Sequence, residues 1–366
     1  MAVKNVIICL KYKKSLTKCT AEKDTKNKRF YMNEKFEKIA ISSRIRLARN
    51  VSGFNFFTKL RDENDAVFII KSVEEVLKAF GYFDVMRLKD LSLDECQTLF
   101  ERHIISKELI DNKDISAVAV SANEKLIIMI NEEDHIREQC IFDGFDLYKA
   151  YFSIKKFDDL VLDSIDLAYS EKYGFLTSSP ANLGTGMRAS VMMFLPAIEI
   201  NGDIEIVKKE AKEKGFTVRG LYGEGSKAIG SFYQISNQKS LGLSENEIVQ
   251  NVSDFAESVC EMELSAREDL LSQNHEKLVD EIYRTYGILK ECKLLEEEEM
   301  ICLLSKLRFG DALGFVEILD YKKFDNLYNE GASANLKEDF SEIKKENIAR
   351  SEYISSRIKE LVRKVL

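Results

Sequence analysis

Hydrophobic and polar positions alternate along this chain with two different periods. Residues 66–80 place apolar side chains at helical spacing and Gly81 follows, which predicts a helix ending there. Aliphatic runs at 117–120 and 126–130 are separated by five polar or small residues, which predicts a β-hairpin. The same patterns predict helices over 93–103 and 158–169 and strands at 216–219 and 232–236. The chain from residue 39 to about 250 therefore mixes helices and strands.

The last third of the chain has a helical pattern throughout. Ser244 and Glu247 form a capping box, and the apolar residues that follow are spaced 4, 3, 4 and 3 positions apart. This spacing fits a helix packed on its own domain and also fits a dimer interface. We expect a catalytic domain over 32–250 and a helical domain over 251–366. Residues 1–31 carry nine Lys/Arg against two acidic residues, which predicts a disordered basic leader.

Composition narrows the class of protein. The net charge of −8 argues against general nucleic-acid binding, and no apolar run is long enough to span a membrane. Seven scattered cysteines without a Cys-x-x-Cys pair indicate reduced thiols and a cytoplasmic location. The three histidines form no zinc motif, so we expect no metal site built by the protein alone.

Arginines in four separate segments suggest an anion site. Arg44 and Arg46 would share one face of an extended segment, and Arg137 follows an acidic run. Arg188 follows a loop with Gly184 and Gly186, which lies between the only two prolines of the chain. Arg219 ends a predicted strand. Taken singly, each arginine is better explained as a surface residue, and the two glycines as a structural turn. If the arginines converge, they would neutralise a polyphosphate.

Three carboxylates supply the complementary chemistry. Glu132 and Glu133 follow one predicted strand, and Glu224 lies in a glycine-rich loop after another. Two opposed carboxylates can hold a planar guanidinium, and one of them can accept its proton during phosphoryl transfer. Magnesium would be held mainly by nucleotide phosphates and water. The alternative for the acidic run is a solvated strand end.

Four motifs, at 42–50, 131–137, 180–190 and 219–224, together resemble the signatures of the ATP:guanido phosphotransferase (phosphagen kinase) family. The resemblance implies an α+β fold: an antiparallel sheet flanked by helices, of the glutamine synthetase type, followed by an all-α C-terminal domain. It implies that Glu133 and Glu224, with Glu132 beside them, grip the acceptor guanidinium, Glu133 being the base. It implies that ATP is bound by Ser42, Ser43, Arg44, Arg46, His103, Arg137, Arg188, Ala189, Ser190, Arg219, Gly220 and Gly223, with Mg²⁺.

Fewer than 45 residues precede Ser42, too few for the N-terminal helical domain of small-molecule guanidino kinases. The chain therefore resembles the bacterial protein-arginine kinases, which phosphorylate arginine side chains of proteins and direct them to a Clp-type ATPase/protease in stress and quality control. An activator of the McsA kind and a homodimer through the C-terminal domain are also implied. Two alternatives are a kinase for free arginine or another small guanidine, and a catalytically weakened nucleotide-binding adaptor.

Two positions depart from the family pattern. Ser179 precedes Pro180 where the family usually has cysteine, and serine stays neutral where a cysteine beside cations becomes a thiolate. This predicts reduced or pH-shifted activity. In the tail, the Arg-Asp-x-x-Arg-Ala motif linked with phosphoarginine binding aligns with 346–351, where only Arg350 matches. Phosphoarginine binding by the tail is accordingly not expected.

Overall fold

A computed structural model describes residues 34–56, 60, 62–102, 104–221, 228–333, 336 and 343–365. The predicted basic leader lies outside these residues. The α-helices are α1 (Glu63–Phe80), α2 (Leu93–Glu101), α3 (Lys107–Asp111), α4 (Leu147–Ser164), α5 (Pro196–Asn201), α6 (Ile204–Glu213), α7 (Glu245–Glu291), α8 (Glu297–Ala312), α9 (Tyr321–Glu330) and α10 (Ile343–Leu361). The strands are β1 (Ala40–Arg49), β2 (Phe83–Arg87), β3 (Ala117–Ser121), β4 (Leu126–Ile130), β5 (Ile136–Asp143), β6 (Tyr169–Ser170), β7 (Gly174–Phe175), β8 (Met187–Phe194), β9 (Phe216–Gly220), β10 (Phe232–Asn237), β11 (Val316–Ile318) and β12 (Val362–Lys364).

The first of two compact units contains the described residues up to Ser92, then Ile105–Val191 and Ser236–Asp254. Its sheet has the order β2-β3-β4-β5-β1, with β8 beyond β1. The pairings from β2 through β1 are antiparallel, and the hairpin expected at 117–130 is present as β3 and β4. Helix α4 packs against β1 and β5, and α1 packs against α4 and β4. The predicted antiparallel sheet flanked by helices is confirmed.

Capping residues explain where the helices of this unit begin and end. The side chain of Asp62 accepts from the Asn64 amide at the start of α1, and the amide of Gly81 donates to the Leu77 carbonyl at its end. The helix expected at 158–169 is misplaced: α4 begins after Asp146, whose side chain caps it, and ends at Ser164. The sequence pattern missed the first turns because Lys149, Lys155 and Lys156 interrupt the apolar residues there, although Lys155 is buried and pairs with Asp159 (2.6 Å).

The second compact unit contains Leu93–Ile104, Met192–Ile235 and Phe255–Leu366. In this unit β8, β10 and β9 are neighbouring strands, in that order. The carboxylate of Glu263, on α7, accepts from the first amides of α5, those of Ala197 (3.2 Å) and Ile198 (3.0 Å). Among the described residues beyond α7, the regular elements are helices apart from the antiparallel pair β11–β12, in which Val316 lies opposite Lys364.

The capping box at the start of α7 is present as expected. The Ser244 amide donates to Glu247 (2.7 Å), and the Glu247 amide donates back to the Ser244 hydroxyl (3.2 Å). Helix α7 runs through residue 250 and departs from helical geometry at Asn274. Each compact unit is assembled from three chain segments, so the predicted division at 250 stays a prediction. None of the described helices is long and apolar enough to cross a lipid bilayer.

Candidate active site

Four of the predicted arginines lie on neighbouring strands of the first unit. Arg44 and Arg46 are on β1, Arg137 is on β5 and Arg188 is on β8, and the sheet order places β1 between the other two. Burial, and after it the positive charges of Arg137 and Arg188, lower the pKa of Arg44 to about 10. Burial, then Arg44, Arg137 and Arg188, likewise lower the pKa of Arg46, and Glu132 partly opposes this. These cations would be stabilised by a ligand with several negative charges.

Strand pairing explains why these side chains share a face. In the antiparallel register Arg46 lies opposite Gln139, and Ala48 lies opposite Arg137. Because successive side chains of a strand point to opposite faces, Arg44, Arg46, Arg137 and Gln139 project from one face of the sheet. The opposite face carries Ile45 and other buried residues beneath α4.

The glycine loop fixes the start of β8 and so places Arg188. Gly184 and Gly186 have φ values of 105° and 66°, where a side chain would be strained. A Cβ on Gly186 would lie 2.6 Å from the Ala48 carbonyl oxygen, so only glycine fits against β1 there. The Ala48 amide also donates to the Gly186 carbonyl (3.0 Å). The Arg188 guanidinium donates to the Ser236 hydroxyl (3.0 Å). The turn is structural, and it positions a candidate ligand.

The acidic run forms a tight loop between β4 and β5. Asn131 adopts a left-handed conformation (φ 59°), and its amide donates to the His135 carbonyl at 2.9 Å. The Asn131 side chain donates to the carbonyls of Ala66 (3.2 Å) and Ile115 (2.9 Å). Hydrogen bonds on both sides therefore fix the direction in which Glu132 and Glu133 leave the sheet.

Glu132 and Glu133 differ in what they contact. Glu132 is buried and forms an ion pair with Arg137. Burial opposes its ionisation, but the charge and hydrogen bond of Arg137 lower its pKa overall. Glu133 is half-buried, and its carboxylate has no hydrogen-bond or ion-pair partner among the described residues. Burial, then the charge of Asp134, raise the pKa of Glu133, which makes it the better proton acceptor of the two.

A buried hydrogen-bond network stabilises the loop between β4 and β5. Asn50 donates to Asp134 (2.6 Å) and accepts from the His135 amide (2.9 Å). The Ser178 amide also donates to Asp134 (2.7 Å). The Val51 amide donates to Nδ1 of His135, so its Nε2 carries the proton that bonds the Asn55 carbonyl (2.8 Å). Burial lowers the pKa of His135, consistent with a neutral ring that has a structural role.

Ser179 follows directly in the segment tied to Asp134. Its carbonyl accepts from the Thr177 hydroxyl (2.8 Å), and the turn at Pro180–Asn182 begins after it. The Ser179 side chain is partly exposed. A neutral hydroxyl thus stands where the family pattern has a thiol, in the segment whose backbone is bonded to the acidic loop.

Other predicted binding residues have different surroundings. The Ser43 hydroxyl accepts from the Asp146 amide (2.8 Å) and donates to the Gly144 carbonyl (2.9 Å), so it is used within the fold. Ser42 is partly exposed. The Ala189 amide donates to Asn237 (2.8 Å), and the Ser190 hydroxyl donates to the Arg44 carbonyl (3.4 Å). These contacts place Ser43, Ala189 and Ser190 in supporting positions, and their assignment as ligands stays a prediction.

The remaining predicted residues lie in the second unit or outside the described residues. Arg219 is exposed at the end of β9, with Gly220 beside it, in the second unit. His103, Gly223 and Glu224 lie outside the described residues, so the second carboxylate of the predicted guanidinium clamp stays a prediction. Asn50, Asp134 and Gln139 were not predicted as functional residues. The period-2 pattern from Arg137 nevertheless places Gln139 on the face of the sheet that carries Arg44, Arg46 and Arg137, which we call the arginine face.

The described residues contain no group of three or more His, Cys, Asp or Glu side chains arranged to hold a metal ion. Glu132 is held by Arg137, and Glu133 is a single carboxylate, which is too few ligands for an all-protein magnesium site. These side chains fit a magnesium ion that arrives with the nucleotide rather than one bound by the protein alone.

Family models match most of the chain. Residues 68–266 match the ATP:guanido phosphotransferase C-terminal catalytic domain, and residues 275–365 match the protein-arginine kinase McsB C-terminal domain. The protein-arginine kinase of Clostridium acetobutylicum is 38% identical over 332 residues, which cover 88% of this chain and 96% of that relative. The protein-arginine kinase of Bacillus subtilis is 40% identical over 297 residues, 80% of each chain.

Solved structures show the same fold. The substrate-free duplicated taurocyamine kinase from Schistosoma mansoni has a TM-score of 0.56 at 23% identity, covering 65% of this chain and 35% of that one. A lombricine kinase has a TM-score of 0.55 at 22% identity, covering 64% of this chain and 68% of that one. At these identities the similarity concerns the fold alone.

Proposed function

The chain belongs to the protein-arginine kinases of the ATP:guanido phosphotransferase family, and from that premise we propose how its residues act and on what. It is an ATP-dependent phosphotransferase that acts on arginine. We propose that its acceptor is an arginine side chain of a protein. The relatives named protein-arginine kinase support this proposal, as does the match of the C-terminal region to the domain of that kinase.

We propose that the arginine face, to which Arg188 on β8 is adjacent, binds the phosphates of ATP. Arg44, Arg46, Arg137 and Arg188 lie on adjacent strands. Burial, and after it repulsion by neighbouring arginines that include Arg137 and Arg188, lowers the pKa of Arg44 and Arg46. A triphosphate would relieve that repulsion, and planar guanidinium groups match phosphate oxygens in pairs. Magnesium, held by the phosphates and water, would neutralise further charge on the nucleotide. The protein's contribution is then to align the phosphoryl group and offset its charge.

Glu133 is the proposed proton acceptor. Its carboxylate is half-buried, has no partner among the described residues and has a raised pKa. A guanidinium nitrogen is a poor nucleophile while it is protonated. As that nitrogen bonds to the γ-phosphorus and the bond to ADP breaks, its proton passes to the Glu133 carboxylate. Glu132 holds Arg137 in place, and binding of the acceptor guanidinium by Glu224 stays a prediction.

We further propose that phosphorylation marks proteins for a Clp-type ATPase/protease in stress and quality control, with a McsA-like activator and a homodimer formed through the C-terminal domain. The family to which the chain belongs supports these partners. A cytoplasmic setting is supported by Cys140, Cys260, Cys292 and Cys302, which are free thiols.

The test supplies labelled ATP separately with free arginine and with an unfolded arginine-rich protein. We expect acid-labile phosphate on the protein and little on free arginine. Glu133→Gln keeps the size of the side chain but cannot accept the proton, so transfer should fall by about 10²- to 10⁴-fold while ATP still binds. Faster labelling of free arginine than of the protein would refute the proposed acceptor.

A further inference from the structure

Gln139 is a buried side chain on the arginine face with an unused donor. It lies on β5 directly opposite Arg46 and is 3% exposed. Its Nε2 is buried and has no hydrogen-bond partner in the part of the chain that the structure describes, and the same holds for Nε of Arg46. Two adjacent strands thus present two buried donors side by side, both without an acceptor.

Buried donors in folded proteins are nearly always paired, because an unpaired one forfeits its hydrogen bonds to water. The charged groups around Gln139 explain which partner is missing. Arg44, Arg46, Arg137 and Arg188 are cationic and offer no acceptor, and the Glu132 carboxylate is held by Arg137. The acceptor that this face lacks is one that carries negative charge and comes from a ligand.

We propose that Gln139 is a phosphate-binding residue, and that its Nε2 donates a hydrogen bond to a triphosphate oxygen of ATP beside Arg46. The inference rests on the proposed binding of ATP phosphates by the arginine face. A neutral amide suits this position because it adds a donor without adding a fifth positive charge. Burial and the neighbouring cations already lower the pKa of Arg44 to about 10.

The amide has a second orientation of nearly the same shape, with Oε1 in place of Nε2. In that orientation Gln139 would accept from Nε of Arg46 and act only by positioning the arginine. The two arrangements differ in the protein without nucleotide. If Nε2 has no partner until a ligand binds, replacing Gln139 removes a buried unpaired donor and does not destabilise the protein. If Oε1 accepts from Arg46, replacing Gln139 breaks an internal hydrogen bond and lowers the stability.

The experiment compares Gln139→Met with the parent protein in two measurements. The first is ATP binding by calorimetry in the presence of magnesium, and the second is the melting temperature without nucleotide. We expect ATP binding to weaken about tenfold, or about 1.4 kcal/mol, and the melting temperature to stay equal or rise. Gln273→Met, which replaces an exposed glutamine in the same way, should change neither. Unchanged ATP affinity would overturn the proposal, and so would weaker binding accompanied by a lower melting temperature.

Arg188→Met separates failure of this inference from failure of the proposed site. If Arg188→Met weakens ATP binding and Gln139→Met does not, the arginine face binds ATP and Gln139 is not a ligand. If neither variant weakens binding, ATP binds elsewhere and the proposed assignment of the face is wrong as well.

Discussion

Arg46 and Arg49 are three residues apart on the same strand, yet their surroundings are opposite. Arg49 is fully buried, and its Nε (2.9 Å) and Nη2 (3.0 Å) both donate to Asp158. Its Nη1 donates to the carbonyls of Ala48 (2.9 Å) and Thr185 (2.8 Å). Arg46 has a buried Nε without a partner among the described residues and lies among other cations. The alternation of the strand directs one guanidinium into the fold and the other toward a ligand.

The carboxylates on the two faces differ in the same way, since Asp158 and Glu245 on the covered face have partners. On the covered face Asp158 and Glu245 lie close to Arg49, with an Nη2–Glu245 distance of 3.6 Å, and the Phe175 ring stacks 3.9 Å from the guanidinium. On the arginine face Glu133 has no partner among the described residues. Charges that the fold has satisfied stabilise it, and charges that it has left unsatisfied are available for binding and proton transfer.

The largest expected effect is on the covered face. Arg49→Met should lower the free energy of unfolding by about 3–5 kcal/mol, because buried Asp158 loses both hydrogen bonds from Arg49 and keeps only the longer ion pair with Lys155 (3.5 Å). Denaturant titration measures this. Arg284→Met is the matched control, since Arg284 forms an exposed pair with Asp280 (2.8 Å) that should contribute under about 1 kcal/mol. Equal losses in the two variants would show that the Arg49 network does not stabilise the fold.

On the arginine face the order of effects should reverse. Arg46→Met should lower kcat/KM by about 10²- to 10³-fold, as expected when one group that stabilises transition-state charge is removed. Its free energy of unfolding should stay the same or rise, because the substitution removes a buried unpaired donor and the repulsion among cations. Steady-state kinetics and denaturant titration check the two parts. A variant that loses stability but retains activity would contradict the assignment.

A smaller effect should come from Glu138, on the covered face. It is fully buried, both its oxygens lack hydrogen-bond partners among the described residues, and burial followed by the charge of Asp158 raises its pKa well above the usual value. Arg49 and Lys155 oppose this rise and Glu245 adds to it. The folded protein therefore keeps a proton on Glu138 that the unfolded chain releases near a pH of about 4.3.

The raised pKa of Glu138 makes the free energy of unfolding depend on pH. The stability from this raised pKa is complete below the unfolded-state value and is lost as pH rises through the folded-state value. Glu138→Gln removes that loss, so the variant should match the parent in acid and exceed it by about 1–3 kcal/mol at neutral to alkaline pH. Unfolding titrations across pH measure the difference. The exposed Glu257→Gln should show no such trend, and a constant offset for Glu138→Gln would contradict the explanation.

The sequence predicted the sheet, its main hairpin and the proximity of four arginines, Arg44, Arg46, Arg137 and Arg188. These features depend on local periodicity and on the order of the motifs. It did not separate Arg49 from Arg46, because a strand pattern does not show which face the partner helix covers. That required α4, which brings Asp158 under β1 from more than a hundred residues away. Ser43 has its side chain on the same face as Arg49, where its hydroxyl bonds Gly144 and the Asp146 amide, and its assignment as a ligand stays a prediction. Gln139 carries no charge and stood out only once its burial was known.

Arg46 has a donor that a ligand can use, whereas the donors of Arg49 are already bound within the fold. The NMR signals of the Nε–H groups of these two arginines distinguish the two states. In the protein with labelled arginine, addition of ATP and magnesium should shift the Arg46 Nε–H signal as its unpaired donor gains an acceptor. The Arg49 signal, already bonded to Asp158, should stay in place. An unmoved Arg46 signal at saturating ATP would contradict the account.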